Sequence, residues 1–194
     1  MIELSSPSRD SETSLEEAIT SRRSIRAFRN EPLGRDKLSQ LLWAAQGITD
    51  KDGKFRAAPS AGATYPLEVY VVSESGMYRY VPAKHALEKL SDRDNRTKLA
   101  RAALGQESVA GAPVNIVFTA VYKRTARRYG IHARRYVHME AGHAAQNLLL
   151  QAVSLELGGV PVGAFDDEKV GELLDLPDNE KPLYIIPVGV PAVE

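Results

Sequence analysis

ARRYVHMEAGHAAQNLLLQAVSLEL, residues 133–157, is the stretch on which the fold turns. Val137, Ala141, Ala144, Leu148, Ala152 and Leu155 recur every three or four positions and so share one stripe of a long helix. Its middle, EAGHAAQN, is built from unusually small side chains, which let another helix approach closely. The helix therefore belongs at the centre of the molecule or against a second copy of the chain. Gly158 and Gly159 are expected to end it.

On the N-terminal side lies VNIVFTAVY at 114–122, rich in β-branched and aromatic residues and read as a central strand. LEVYVV (67–72) and MYRYV (77–81) flank an SESG turn and form a hairpin. KHALEKL (84–90) and TKLARAAL (97–104) read as two short surface helices. Near the start of the chain, Ser14 and Glu17 make a capping box before LEEAITSRR, and residues 1–13 read as a loose, flexible arm. From Asp36 to Gln46, Leu38, Leu41, Leu42 and Ala45 fall at helical spacing. Gly47 stops that helix, and Trp43 or its neighbours should be buried. Beyond residue 157 come the loop VPVGAFDD (160–167), a helix EKVGELLDL capped by Asp166 or Asp167, and a final strand LYIIPVGV (183–190). Helices and strands do not alternate regularly, so the class is α+β, with one domain over 14–194.

Composition removes several function classes. The 194 residues carry 25 acidic and 25 basic side chains, and a net charge of zero names no nucleic-acid or membrane partner. There is no cysteine, which excludes disulfides and thiolate chemistry and leaves any redox work to a cofactor or to a metal held by other ligands. The N-terminus is polar and acidic rather than basic and then apolar, and no apolar run approaches the roughly 18 residues that span a bilayer. A cytoplasmic protein is expected.

Three segments carry candidate chemistry. In SRRSIRAFR, four arginines fall within eight residues. Their forked donors, with the Ser24 hydroxyl, suit a dianionic phosphate, and Arg22 and Arg26 share a face if the first helix continues. The plainer reading is cations offsetting a helix dipole in solvent. The second segment, Pro59, Ser60, Ala61 and Gly62, is small throughout, so backbone amides can meet a flat ring without obstruction. In the third, Pro161, Val162, Gly163 and Ala164 form another small, proline-stiffened loop, from which an amide of Val162, Gly163 or Ala164 would stabilise charge on a ring atom. Either loop alone reads equally as a turn required by packing.

Other chemistries lack their signatures. Neither G-x-G-x-x-G nor G-K-[ST] nor G-x-S-x-G occurs. His138 and His143 lack the spacing of a zinc helix, so no metal is expected. Glu140 and His143 stand three apart and read as a structural pair. The basic segment Lys123 to Arg135 reads as a solvated face rather than a nucleic-acid surface.

Taken in order, SRRSIRAF (21–28), APSAGATYPLEVYVV (58–72), YRYVPAKHALEKL (78–90), EAGHAAQNL (140–148) and GGVPVGAFDDEKVGELLDLP (158–177) resemble the nitroreductase superfamily of FMN-dependent oxidoreductases. The subgroup they most resemble contains the peptide azoline (SagB-type) dehydrogenases. The resemblance implies a central, mostly antiparallel sheet flanked by helices and an intertwined homodimer with FMN at the interface. It implies that Arg22, Arg23, Ser24 and Arg26 hold the phosphate and ribityl oxygens, that Pro59–Gly62 comes from the partner, and that Pro161–Ala164 sits by flavin N5 and O4. The implied activity is ping-pong transfer of hydride from NAD(P)H through FMN to a nitroaromatic or quinone. The alternatives are a dehydrogenase of a peptide-derived or small heterocyclic substrate, with Tyr129 as its candidate catalytic residue, and a flavin-carrying or nucleic-acid-binding protein without turnover.

Two positions depart from the pattern. Related chains place a basic residue after P-V-G in the last strand, where this chain has Val190, so the arginines must supply more of the charge. Arg128-Tyr129 stands in place of the Lys-Tyr pair of azoline dehydrogenases, and a guanidinium that stays protonated is a poor base.

Overall fold

The computed structural model describes residues 1–192. The elements, in chain order, are β1 (Ile2–Glu3), α1 (Leu15–Ser21), α2 (Arg35–Gln46), β2 (Leu67–Ser73), β3 (Gly76–Val81), β4 (Ala86–Ser91), α3 (Arg96–Ala102) and α4 (Glu107–Gly111). There follow β5 (Val114–Ala120), α5 (Tyr122–Tyr129), α6 (Ala133–Ser154), β6 (Gly158–Gly159), α7 (Asp167–Leu174) and β7 (Lys181–Gly189). The strands form one seven-stranded antiparallel sheet in the order β1-β4-β3-β2-β5-β7-β6. This is the α+β architecture read from the sequence.

Burial explains why β5 is an interior strand, paired between β2 and β7. All seven of its residues are buried, which only a strand paired on both edges and covered on both faces achieves. The alternation of side chains sends Val69, Val71, Ile116, Phe118, Ile186 and Val188 to one face, where they pack with Leu41 and Leu42 of α2 and with Val137, Ala144 and Leu148 of α6. The opposite face carries Tyr70, Val72, Val117 and Ile185, covered by Leu99 of α3, Val109 of α4, and Val170 and Leu174 of α7. Each fully buried leucine or isoleucine contributes about 1.5–3 kcal/mol through burial, so the two helical layers hold the sheet from both sides.

Four local readings are corrected by the tertiary structure. KHALEKL is not a helix: Pro82–Lys84 is a short 3-10 turn, His85 turns the chain with φ of 42°, and β4 then pairs with β3 from Ala86↔Val81 to Ser91↔Met77. The open edge of β3 satisfies the backbone of this segment, which outweighs a weak helical periodicity. The arm over residues 1–13 is tied down rather than loose: Ile2 and Glu3 pair with Leu87 and Ala86, and the Ser8 backbone bonds the Gln40 side chain in both directions. The first helix ends at Ser21, so Arg22 and Arg26 share no helical face. Finally, α6 ends at Ser154, before the glycines. Glu156 adopts φ of 59° and Leu157 N donates to Ala152 O at 2.8 Å, closing the helix with a non-glycine left-handed residue.

The glycines serve packing instead. A Cβ on Gly158 would lie 2.5 Å from Ile25 Cγ1, and one on Gly159 would lie 2.9 Å from Pro187 O. β6 therefore squeezes between β7 and the segment that follows α1.

Candidate functional site

The arginine segment is held by backbone on both sides. Ser24 bridges Gly159, Ile25 N donates to Gly159 O at 3.0 Å, Arg29 N donates to Val190 O at 2.9 Å, and Ala192 N donates to Ala27 O at 3.0 Å. With its main chain occupied, the segment projects side chains outward: Arg23, Ser24, Arg26 and Arg29 are exposed and Arg22 is half-buried. Arg23 turns back, donating from Nη1 to Thr20 O and Arg22 O at the end of α1, which is the dipole-offsetting role. Arg22, Arg26 and Arg29 form no ion pair among the described residues. Three guanidiniums without ion pairs therefore stand close to the exposed Ser24, a concentration of positive charge on this face.

The same β6 contact brings the Pro161–Ala164 loop to this segment. Val162 is removed as a donor, because its N–H goes to Ile185 O at 2.8 Å and its carbonyl accepts from Ile185 N at 3.0 Å. Gly163 and Ala164 are exposed, and their N–H groups have no backbone acceptor among the described residues. Gln106 Nε2 donates to Ala164 O at 2.8 Å and fixes that peptide's orientation. A Cβ on Gly163 would meet only Tyr184 Cε2, at 3.7 Å, so its outer side is open to a ring. Beside it opens a cleft of about 460 Å³ that includes Tyr122, Arg134, His138 and Lys181. Tyr122 Oη and His138 Nε2 lie 2.6 Å apart there.

Gly158→Ala tests the link between the two segments. The added methyl meets Ile25, and overpacking of this kind costs about 1–3 kcal/mol. The variant is expected to lose anion affinity together with thermal stability, measured by phosphate or FMN titration and by melting.

Pro59–Gly62 is backed by different elements. Its 3-10 turn carries positive φ at Gly62 (59°) and Ala63 (53°), and Tyr65 follows at 43°, an accumulation of left-handed backbone typical of functional loops. A Cβ on Gly62 would lie 2.6 Å from Tyr129 Oη and 2.8 Å from Arg128 Nη1, so α5 seals one side of the loop. Thr64 Oγ1 and Thr125 Oγ1, 2.8 Å apart, add a second tie. Tyr129 and Pro59–Gly62, separate candidates in the sequence, are thus in one place. Lys123, Arg127, Arg134 and Arg135 are exposed, while Arg124 reaches Glu68 at 2.5 Å.

Sequence reasoning missed what lies under this loop. Glu140 on α6 is 2% exposed, and its Oε1 has no hydrogen-bond partner. It does not pair with His143, which is exposed; it faces Ser60 and Arg56. Burial pushes its carboxyl up to about 7, against the opposing pull of Ser60 and Arg56. Arg56 lies 4.5 Å over the Tyr65 ring and donates to Gln46 Oε1 at 3.0 Å. The signal was available: positions 137, 140, 141 and 144 share the apolar stripe, so a glutamate among them had to be buried. Among the described residues no cluster of three or more metal-ligating side chains occurs.

Fold and site first define a class: an α+β protein that presents unpaired arginines next to a small-residue loop with free amides. The chain belongs to the nitroreductase family, whose profile matches residues 19–190, and it is an oxidoreductase. It is 46% identical over 184 residues to a protein of Methanocaldococcus jannaschii provisionally named a nitroreductase, covering 92% of this chain and 91% of the other. To the FMN reductase (NAD(P)H) of Bacillus subtilis it is 26% identical over 191 residues, 90% of this chain but 65% of that longer protein. A crystal structure of a provisionally named nitroreductase from Ralstonia eutropha superposes with a TM-score of 0.90 at 31% identity, covering 100% of this chain and 90% of that one. No helix among the described residues is long and apolar enough to cross a membrane.

Proposed function

We propose that the chain is one subunit of a homodimeric, FMN-dependent NAD(P)H oxidoreductase. The observation that carries this is the Ser24–Gly159 bridge, which sets unpaired arginines beside a loop whose Gly163 and Ala164 amides lack acceptors. FMN fits that combination: a dianionic phosphate for Arg22, Arg26 and Ser24, and a planar ring for the open side of Gly163. When bound, FMN supplies hydride transfer, accepting from NAD(P)H and passing electrons to an electron-poor acceptor such as a nitroaromatic or quinone. The protein's own share is to neutralise the phosphate, aim an N–H at the ring edge and exclude water.

Pro59–Gly62 is the third segment, and in the dimer it comes from the partner. Support for a dimer lies in exposed apolar side chains on adjacent elements: Leu15 and Ile19 on α1 are 62% and 56% exposed, and Met139 on α6 is 52% exposed, near the space left by Gly142. The test is the visible spectrum of the purified protein, with light scattering on the same sample. A yellow dimer that bleaches on anaerobic addition of NAD(P)H is expected. A colourless protein that takes up no added FMN overturns the reading.

One observation favours a second reading, a dehydrogenase of a peptide-derived or small heterocyclic substrate: Tyr129 Oη lies against Gly62, at the loop assigned to the ring. Under that reading Tyr129→Phe keeps FMN bound and loses at least about a hundredfold in turnover, within the usual contribution of a general acid or base. Unchanged turnover leaves the first reading alone.

A further inference from the structure

Away from the arginine segment and the two loops, His85 sits at the left-handed turn between β3 and β4 with both ring nitrogens engaged. Nδ1 lies 2.8 Å from Tyr80 Oη on β3, and Nε2 lies 2.8 Å from Ser39 Oγ on α2 and 3.0 Å from Ser5 O on the N-terminal arm. The arm closes the circuit: Ser39 Oγ also donates to Ser5 O at 2.7 Å, and Leu4 N donates to His85 O at 3.1 Å. A carbonyl oxygen only accepts, so the contact with Ser5 places the ring proton on Nε2. Nδ1 is then bare and accepts the Tyr80 hydroxyl proton. We propose that His85 is a pH-sensitive latch: the neutral ring pins the arm to α2 and β3, and a second ring proton releases it. The latch does not depend on the function proposed above.

In the neutral arrangement the Nε2–H, the Ser39 hydroxyl and the Tyr80 hydroxyl each have an acceptor. A proton added at Nδ1 meets the Tyr80 hydroxyl and forces it to turn its own hydrogen away. Tyr80 is 1% exposed, and its hydroxyl has no other partner among the described residues, so that hydrogen is left buried without an acceptor. Swinging the ring into water relieves the conflict and drops the bonds to Ser39 and Ser5. The space for this is a cavity of about 360 Å³ that His85 lines together with Trp43 and the arm. Glu3 and Arg9 of the arm and Lys84 of the turn line the same cavity. α2 adds Asp36, which accepts from Ser5 Oγ, and β3 adds Tyr80, on which Arg56 acts. Arg9 and Lys84 oppose a further positive charge, and Glu3 favours it. Burial holds the imidazole below its ordinary value of 6.5, against the pull of the Ser5 carbonyl. The released ring takes a proton more readily than the latched one, so the latch is fully closed above pH 6.5 and weakens as pH falls below it.

Amide hydrogen exchange of residues 1–8, followed by mass spectrometry on the full chain between pH 5 and pH 8, tests the latch. Wild type, His85→Asn and His85→Gln are compared at each pH, so the intrinsic pH dependence of exchange cancels, and asparagine tolerates the left-handed backbone at this position. Protection of the arm in the wild type, relative to either variant, is expected to fall about 5- to 30-fold from pH 7.5 to pH 5.5, the scale of one buried polar group left unpaired. The emission of Trp43, the single tryptophan, is expected to shift to the red over the same range in the wild type alone. The amides of β5 stay protected throughout. A ratio between wild type and both variants that stays constant with pH overturns the latch. Loss of protection in β5 at the same pH as in the arm overturns it too, because the whole fold and not the arm would then be opening.

Discussion

Replacing Arg22 and Arg26 together by alanine is expected to weaken FMN binding by about a hundredfold or more, with the far-ultraviolet circular dichroism unchanged. Each guanidinium is free of protein carboxylates, so its removal costs the cofactor a charge-assisted bond and leaves no buried partner behind. Such bonds contribute about 1.5–3 kcal/mol apiece, and about 2.7 kcal/mol in total already corresponds to a hundredfold. Compensation from elsewhere is limited. The run 190–192 lies antiparallel to Ala27–Arg29, next to the arginines, yet the side chain there is the half-buried Val190. The fold survives the change because the segment is held by main-chain bonds to Gly159 and Val190, not by its arginine heads. Calorimetric titration with FMN checks this, and affinity within threefold of the wild type places the phosphate elsewhere.

The second large effect concerns stability against pH. Glu140 has its folded pKa raised from 4.5 to about 7, so the native state keeps a proton that the unfolded chain releases. Its contribution is fully present below pH 4.5 and is lost as pH rises to 7, a change of about 3 kcal/mol across the interval. Urea melts at fixed protein concentration are expected to show wild-type stability falling by that order between pH 5 and pH 8. In Glu140→Gln this component should vanish, so the stability difference between the two proteins shifts by about 3 kcal/mol toward the variant across the range. A constant difference would mean that Glu140 titrates normally.

Particular residues show how much could be read without coordinates. The stripe from Val137 to Leu155 and the run 114–120 located α6 and β5, because burial on one face of a helix, or on both faces of a strand, is written directly into residue spacing. The arginine segment and the two small-residue loops were legible as chemistry, since phosphate and a flat ring demand those residue types. Glu140 was misjudged because, along the chain, a pair with His143 on the same helix looks as good as burial against other elements.

The amino-acid order by itself determined the α+β class, the central helix and strand, the absence of thiol chemistry and the family to which the chain belongs. Only the tertiary structure decided that residues 86–91 form a strand, that Val162 spends its amide on Ile185 while Gly163 and Ala164 keep theirs, and that Glu140 is buried with an oxygen left without a hydrogen-bond partner. The reason is physical. Periodicity and composition are properties of neighbours along the chain, whereas an open sheet edge, a consumed N–H and a desolvated carboxyl arise from segments that meet only after folding.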